Sequence, residues 1–165
     1  MTRITAALLL LWSCLPAIAG DLGVGLQYSH LAVDRGNLNR GNPGLLIASG
    51  TRQLSESYVL EVRAGTGVLS ECCFGPRLEN DSLLGGYLVT SWWDLQPVNP
   101  YLIAGYTATR TLINGVRFRD DGFSWGMGAR QRVSPDMELR FEAMRLLDND
   151  HGQQDSLSFG VSYRF

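Results

Sequence analysis

Residues 123–133 read FSWGMGARQRV, and their side chains alternate in size and polarity from one position to the next. Phe123, Trp125 and Met127 are large and apolar, whereas the residues between them, beginning with Ser124 and Gly126, are small or carry a guanidinium group. Because successive side chains of a β-strand point to opposite faces, a period of two predicts a strand. One face of this strand is bulky and apolar, and the other is small or charged.

The same alternation recurs in four other segments, at residues 22–29, 58–68, 137–143 and 157–165. Three further segments are rich in Leu, Ile, Val, Thr, Tyr and Trp, which favour strands, but their pattern does not decide which side chains share a face. These segments lie at about 44–54, 82–93 and 100–111. The chain is therefore predicted to form eight strands.

The connections between the predicted strands alternate in length. Shorter turns are predicted at 55–57, 94–99 and 134–136, and longer loops at 34–42, 71–81, 112–121 and 148–155. A meander of antiparallel strands with short turns at one end and longer loops at the other is typical of a transmembrane barrel, whose strands need roughly 9 to 11 residues. The predicted fold is all-β, an eight-stranded antiparallel up-and-down transmembrane β-barrel.

The bulky face of each strand is expected to contact lipid. The interior of an eight-stranded barrel is only wide enough to be filled by side chains, so the large apolar set would overfill it. Small residues relieve crowding inside a curved sheet, which gives a reason for the 19 glycines in the chain. The barrel must also close, because an open strand edge in hydrocarbon leaves peptide groups without hydrogen bonds.

The alternation turns eight charged side chains towards the barrel axis. They are Glu61, Arg63, Arg130, Arg132, Glu138, Arg140, Glu142 and Arg164. Charges in so narrow a space are costly unless they are paired and hydrogen-bonded. Most of them lie near the short turns, so we expect a salt-bridge plug in that half of the barrel and a more open vestibule, with room for water, in the other half.

Residues 1–19 have the features of a secretory signal peptide, and residues 20–165 are predicted to form the barrel domain. Arg3 precedes an apolar run from Ala6 to Leu15, and Ala17 and Ala19 supply small residues before a cleavage site. The apolar run is too short to cross a bilayer as a helix, which takes about 20 residues. Cys14 leaves a lipoprotein signal open as the alternative, although the bulky residues before it disfavour that interpretation.

The charge and the cysteine content argue against several classes of function. The chain has 14 basic residues, all of them arginine, against 16 acidic residues, a balance that does not attract nucleic acid and offers no lysine for Schiff-base chemistry. Cys72 and Cys73 are adjacent, so a bridge between them would be strained, and no histidine cluster nearby suggests a metal site. We predict no metal and no cofactor, and leave the role and redox state of these cysteines open.

The last strand, LSFGVSYRF at 157–165, resembles the terminal strand of bacterial outer-membrane proteins, which the barrel-assembly machinery recognises. That resemblance assigns the assembly signal to Val161, Tyr163 and Phe165. The stretch from Met137 to the C-terminus is similar to the last hairpin of the small OmpA-type and opacity-type barrels, and residues 99–105 to their fifth strand. The resemblance implies a monomeric barrel in the outer membrane of a Gram-negative bacterium, with both termini in the periplasm and four loops exposed.

The resemblance supports a structural, envelope-stabilising role or an adhesin-like surface contact more than any chemistry. A minor porin or narrow gated channel is the alternative, with the interior ion pairs as the gate. A lipid A-modifying enzyme is less favoured, because such barrels combine a His, a Ser and a Glu, whereas this chain has only His30 and His151 and lacks the His-x-Ser motif at 142–146. We therefore expect no catalytic residues.

Expected partners follow from this location. They are the outer-membrane lipids, the barrel-assembly machinery and periplasmic chaperones during biogenesis, and no nucleic acid. Aromatic residues at strand ends are expected to form interfacial girdles, namely Tyr58, Trp92, Trp93, Phe123, Tyr163 and Phe165. Arginines in or beside the long loops are candidates for contact with lipopolysaccharide phosphates, namely Arg35, Arg40, Arg77, Arg117 and Arg119.

Overall fold

A computed structural model describes residues 22–34, 40–69, 78–91, 97–113, 116–149 and 152–165. The predicted signal peptide at 1–19, the Cys72–Cys73 pair and the Trp92–Trp93 pair lie outside the described residues. Among the residues that the structure describes, no helix is long and apolar enough to span a membrane.

The described chain is built from nine β-strands, one of which has only two residues. They are β1 (Leu22–Asp34), β2 (Arg40–Gly41), β3 (Gly44–Gln53), β4 (Tyr58–Leu69), β5 (Leu78–Thr90), β6 (Val98–Ile113), β7 (Val116–Arg132), β8 (Met137–Asn149) and β9 (Gly152–Arg164). The short β2 pairs only with the end of β1. The eight long strands pair antiparallel with their neighbours, and β1 also pairs with β9, which closes the sheet. The predicted closed eight-stranded barrel is confirmed.

The two ends of the barrel differ. The turns at 54–57 and 133–136 are closed by backbone hydrogen bonds from Leu54 to Tyr58 and from Val133 to Met137, both 2.9 Å. These turns, the β5–β6 connection and the two chain ends of the barrel define what we call the turn end. The opposite end, where β1, β4, β6 and β8 finish, is the loop end.

Two of the predicted loops are largely strand, and the prediction there was wrong. Residues 112–121 belong mostly to the β6–β7 hairpin, whose pairing runs to Ile113 and Val116. Residues 148–155 are mostly strand as well, because the pairing of β8 with β9 continues to Asn149 and Gly152. The charged residues of these segments had favoured loops, but strands that leave the bilayer can carry polar side chains on both faces.

The bulky side chains face outward, as predicted. Phe123, Met127 and Leu157 are 63%, 58% and 66% exposed, and their neighbours along the strands point into the barrel. Phe141 and Phe159 pack against each other on this outer surface, with ring centroids 4.8 Å apart. An apolar surface of this kind is stable in lipid and not in water.

The loop-end half of the interior is filled by leucine side chains together with buried hydroxyl and amide groups, among them Thr109, Thr111 and Gln154, so the predicted open vestibule there is wrong. Its buried residues include Leu31, Leu45, Leu83, Leu146 and Leu147, none of them more than 3% exposed. Two features hid this layer from the sequence pattern. Leu45 and Leu83 lie on strands whose facing was undecided, and a register shift between Arg145 and Leu147 turns consecutive leucines inward.

Candidate functional site

Four charged residues meet at the centre of the turn-end half, and we call them the charged layer: Glu61, Arg63, Arg140 and Glu142. The order Glu-x-Arg on β4 is reversed to Arg-x-Glu on β8, and alternation turns both pairs inward. Because three long strands separate β4 from β8 in either direction around the closed sheet, the two strands face each other across the axis. Each arginine therefore meets a glutamate of the opposite strand.

The ion pairs of the charged layer are two-pronged. Arg140 donates from its two Nη atoms to the two carboxylate oxygens of Glu61, at 3.0 and 2.9 Å. Arg63 binds both oxygens of Glu142, the longer bond being 2.7 Å from Nη2 to Oε2, and donates from Nε to Glu61 at 2.9 Å. All four residues are at most 3% exposed. Planar guanidinium–carboxylate pairing of this kind satisfies the charges that burial would otherwise penalise.

Two tyrosines that the sequence did not single out complete this layer. The Tyr101 hydroxyl donates to Glu142 Oε2 at 2.8 Å, and the guanidinium carbons of Arg130 and Arg140 lie 4.9 and 5.4 Å from the centre of its ring. The ring of Tyr87 lies 4.8 Å from the guanidinium carbon of Arg63. Such cation–π contacts add to the ion pairs. Each of these tyrosines lies opposite a glycine of the next strand, Tyr87 opposite Gly105 and Tyr101 opposite Gly128. Such a pair could have identified them from the sequence, but only if the register of the strands were already known.

The other four charged residues of the predicted network lie nearer the turn end. Arg164 and Glu138 form a separate pair, 3.1 Å between Nη2 and Oε1, that is more exposed than the charged layer. Arg130 is half-buried and donates to the Ser91 hydroxyl at 2.6 Å. Arg132, two residues further along β7, is exposed at the rim. The eight residues thus divide into a buried cluster of four and a more open group of four.

The residues predicted as an assembly signal lie on the outer face of β9. Tyr163 and Phe165 are 42% and 66% exposed, and their rings pack edge to face at 5.1 Å. Val161 pairs with Leu26 of β1 on one side and Leu139 of β8 on the other. These three side chains form an apolar strip along the strand that closes the barrel.

At the loop end, exposed aromatic side chains form a belt that includes Tyr106, Phe123 and Trp125. Beyond this belt, two exposed arginines, Arg110 and Arg119, lie directly opposite each other on the β6–β7 hairpin. Arg119 is the one arginine of the predicted lipopolysaccharide set whose side chain the structure describes. Arg35 and Arg77 lie outside the described residues, and the side chains of Arg40 and Arg117 are not described.

Within the described ranges, no group of three His, Cys, Asp or Glu residues could hold a metal ion. His30 is exposed on β1, where it pairs with Gly44 and Leu157, and His151 lies outside the described residues. That the chain has no enzymatic activity stays a prediction.

A closed barrel with a lipid-facing apolar surface and buried charged and polar groups in a side-chain-filled interior is the architecture of an outer-membrane protein. The family model for the outer membrane protein β-barrel domain matches residues 5–165, and the chain belongs to this family. A comparison with curated protein sequences gave no match.

Solved structures with the same fold include three small bacterial barrels. Neisserial surface protein A (NspA) is 16% identical with a TM-score of 0.70, covering 87% of this chain and 97% of that one. Ail of Yersinia pestis, the attachment invasion locus protein, in complex with the heparin analogue sucrose octasulfate, is 11% identical with a TM-score of 0.67, covering 90% of this chain and 100% of that one. The N-terminal barrel of Pseudomonas aeruginosa OprF is 13% identical with a TM-score of 0.60, covering 88% of this chain and 99% of that one. The chain is an outer-membrane barrel of this type, and the low identities extend the likeness to the fold alone.

Proposed function

We propose that this protein stabilises the outer membrane by binding lipopolysaccharide through two arginines of the β6–β7 hairpin. The observation that carries the proposal is the direct cross-strand pairing of Arg110 with Arg119. Both residues share the parity of the lipid-facing side chains on their strands, since Arg110 follows Tyr106 and Arg119 precedes Phe123 on the outer face.

The position of the two arginines along the barrel axis corresponds to the level of the lipid head groups in the outer leaflet. Tyr106 pairs with Phe123 in the aromatic belt, and Arg110 lies four residues further towards the loop end, about 13 Å along the strand at ~3.3 Å per residue. Aromatic belts mark the boundary between hydrocarbon and head groups. The strands here are 16 and 17 residues long, more than the roughly 9 to 11 that a bilayer requires.

The electrostatics of the pair favour an anion between the two side chains. Cross-strand neighbours have Cβ atoms about 4.5–5.5 Å apart, and like charges at this distance repel. Among the described residues no carboxylate forms an ion pair with Arg110 or Arg119, and the nearby Asp121 accepts a hydrogen bond from the Tyr106 hydroxyl. Two guanidinium groups side by side can bind one phosphate with charge-assisted hydrogen bonds, which removes the repulsion.

The test is lipid A binding to the folded barrel, measured by native mass spectrometry. We expect Arg110→Gln with Arg119→Gln to weaken binding of bisphosphorylated lipid A about tenfold or more, since hydrogen bonds to charged groups each contribute ~1.5–3 kcal/mol. Arg52→Gln is the matched control, because Arg52 lies on the same outer face of the barrel but at the turn end.

Dephosphorylated lipid A is expected to bind the parent protein as weakly as the double variant binds lipid A. Equal binding of lipid A by the parent and the double variant would refute the proposal. Binding of a sulfated sugar is measured in the same way, with sucrose octasulfate as the probe. If the double variant loses binding of this sugar but keeps binding of lipid A, the ligand is instead a glycan.

The barrel-assembly machinery and periplasmic chaperones remain proposed partners during biogenesis. The apolar strip of Val161, Tyr163 and Phe165, in which the two aromatic rings are exposed, supports this, because an apolar strand face must be bound by another protein until lipid covers it. Channel activity is not supported by the interior, where the apolar leucine layer follows the charged layer along the axis.

A further inference from the structure

A small pocket opens at the turn end, inside the barrel and directly below the charged layer. Its wall is formed by polar groups from several strands, and about 40 Å³ of it is open to the centres of water molecules. A single water needs about 10–15 Å³ by this measure, so the pocket has room for a small polyatomic ion. The uncharged polar side chains of its wall are Thr51, Gln53 and Ser162, and the charged ones are Glu61, Arg130, Asp136, Glu138, Arg140 and Arg164.

The wall carries three arginines and three acids, but one of these arginines has no ion-pair partner among the described residues. Arg63 and Arg140 are neutralised by Glu61 and Glu142, and Arg164 by Glu138. Arg130 remains, and no carboxylate among the described residues forms an ion pair with it. Its polar partner there is the Ser91 hydroxyl, and its Nε atom is buried without a hydrogen-bond acceptor.

A second guanidinium group, that of Arg140, offers an unused N–H donor at the same place, although its charge is paired with Glu61. Arg140 lies against the same tyrosine ring as Arg130, is 3% exposed, lines the pocket, and also has a buried Nε without an acceptor. A partly buried cation beside another cation is costly unless an anion compensates it. Asp136, the remaining acid of the pocket wall, is exposed at its outer edge in the 133–136 turn.

We infer that this pocket binds a small oxyanion, a phosphate or a carboxylate, on the guanidinium group of Arg130. The planar fork of N–H donors on arginine matches the oxygens of such ions, and the hydroxyl and amide groups of Thr51, Gln53 and Ser162 supply further hydrogen bonds around it. The resemblance to small outer-membrane barrels implies that the turn end faces the periplasm, and we therefore expect the ion to enter from that side. This inference is independent of lipopolysaccharide binding at the loop end.

The test is a phosphate titration of the full barrel folded in uncharged detergent, at constant ionic strength set with sodium chloride. We expect a saturable rise in the unfolding temperature of the parent protein, because a ligand that binds only the folded state stabilises it. Arg130→Gln should weaken the apparent phosphate affinity at least tenfold. Arg132→Gln is the matched control, since Arg132 lies two residues away on the same strand and face but outside the pocket wall, and it should titrate like the parent.

A second arm identifies the source of the oxyanion. Dihexanoyl phosphatidic acid, used below its micellar concentration, should compete with inorganic phosphate only if a lipid phosphate can enter the pocket. If Arg130→Gln does not fold, Arg130→Lys keeps the charge without the planar fork and should bind phosphate more weakly, with line broadening in ³¹P NMR as the readout. Coinciding titrations of the parent and both variants, or an equal effect of chloride alone, would overturn the inference.

Discussion

Glu142 accepts more hydrogen bonds than any other carboxylate of the charged layer, from Arg63, Arg140 and the Tyr101 hydroxyl. Its removal leaves the guanidinium group of Arg63 with only one carboxylate, shared with Arg140. An incompletely paired charge in a buried site destabilises far more than the loss of an exposed ion pair, because the desolvation cost remains.

We therefore expect Glu142→Ala to lower the free energy of unfolding by about 3 kcal/mol or more. The measurement is urea unfolding of the barrel in lipid vesicles, followed by tryptophan fluorescence. Glu138→Ala is the control on the same strand and face, because the partner of Glu138, Arg164, is exposed and the pair should contribute roughly 0–1 kcal/mol. Similar losses for the two variants would mean that the charged layer is not the main polar support of the interior.

At the scale of the strand pair, β5 and β6 depend on the absence of a side chain at Gly105. A Cβ atom there would lie 2.7 Å from the Cα of Tyr87 and closer still to the carbonyl oxygen of Gly86. Both are backbone atoms of β5, so neither can move without disturbing the ladder. The ring of Tyr87 occupies the space that the glycine leaves, which links the close approach of the strands to the cation–π contact with Arg63.

Gly105→Ala is therefore expected to slow or prevent barrel closure, and Gly86→Ala to be tolerated. Gly86 is the neighbouring glycine on β5, but it faces lipid, and a Cβ atom there would meet nothing within 4 Å. The fraction of folded barrel, read from gel mobility before and after boiling in detergent, distinguishes the two. Normal folding of Gly105→Ala would show that the strands can separate locally without cost.

The β6–β7 strand pair extends beyond the part of the barrel that the bilayer surrounds. Residues 98–113 pair antiparallel with residues 116–131 beyond the aromatic belt, so Arg110 and Arg119 are held on a regular sheet rather than on a loop. A β-ladder fixes their spacing because the register cannot slip by one residue without reversing every side chain below it. The proposed lipid A site therefore belongs to the strand pair as much as to the two arginines.

For the whole molecule, the two interior layers together close the lumen. The charged layer occupies the turn-end half, and the leucines of the loop-end half follow it along the axis. Opening the ion pairs alone leaves the loop-end layer in place, and its closely packed side chains still fill the lumen. A gate made of ion pairs would need both layers to move.

We expect the reconstituted barrel to carry no measurable current in planar bilayers, and Glu142→Ala to leave the current unchanged. Leu147→Ser combined with Glu142→Ala tests the second layer, because it replaces one leucine of the apolar plug with a hydroxyl. A current that appears with Glu142→Ala alone would restore the gated-channel interpretation. A current only in the double variant would locate the seal in the leucine layer.

The sequence predicted the fold and the direction of most side chains because a period of two is a property of neighbouring residues. Phe141 and Phe159 face outward, and Glu61, Arg63, Arg140 and Glu142 face inward, in stretches of strand where the alternation is unbroken. The sequence-based prediction of side-chain direction failed where the period of two is interrupted or weak. The shift at Arg145/Leu147 and the uniform apolar composition around Leu45 and Leu83 concealed the leucine layer.

What the amino-acid order determined alone was therefore the alternation, the closed barrel it requires and the lipid that must surround it, since each follows from hydrogen bonding and burial along single strands. Which charges meet was decided only by the tertiary structure. Arg63 and Glu142 are 79 positions apart, and they come together because eight strands close with one particular register. The same closure places Arg110 opposite Arg119 and leaves Arg130 without an ion pair to any carboxylate of the described residues, so both proposed anion sites arise from register and not from sequence spacing.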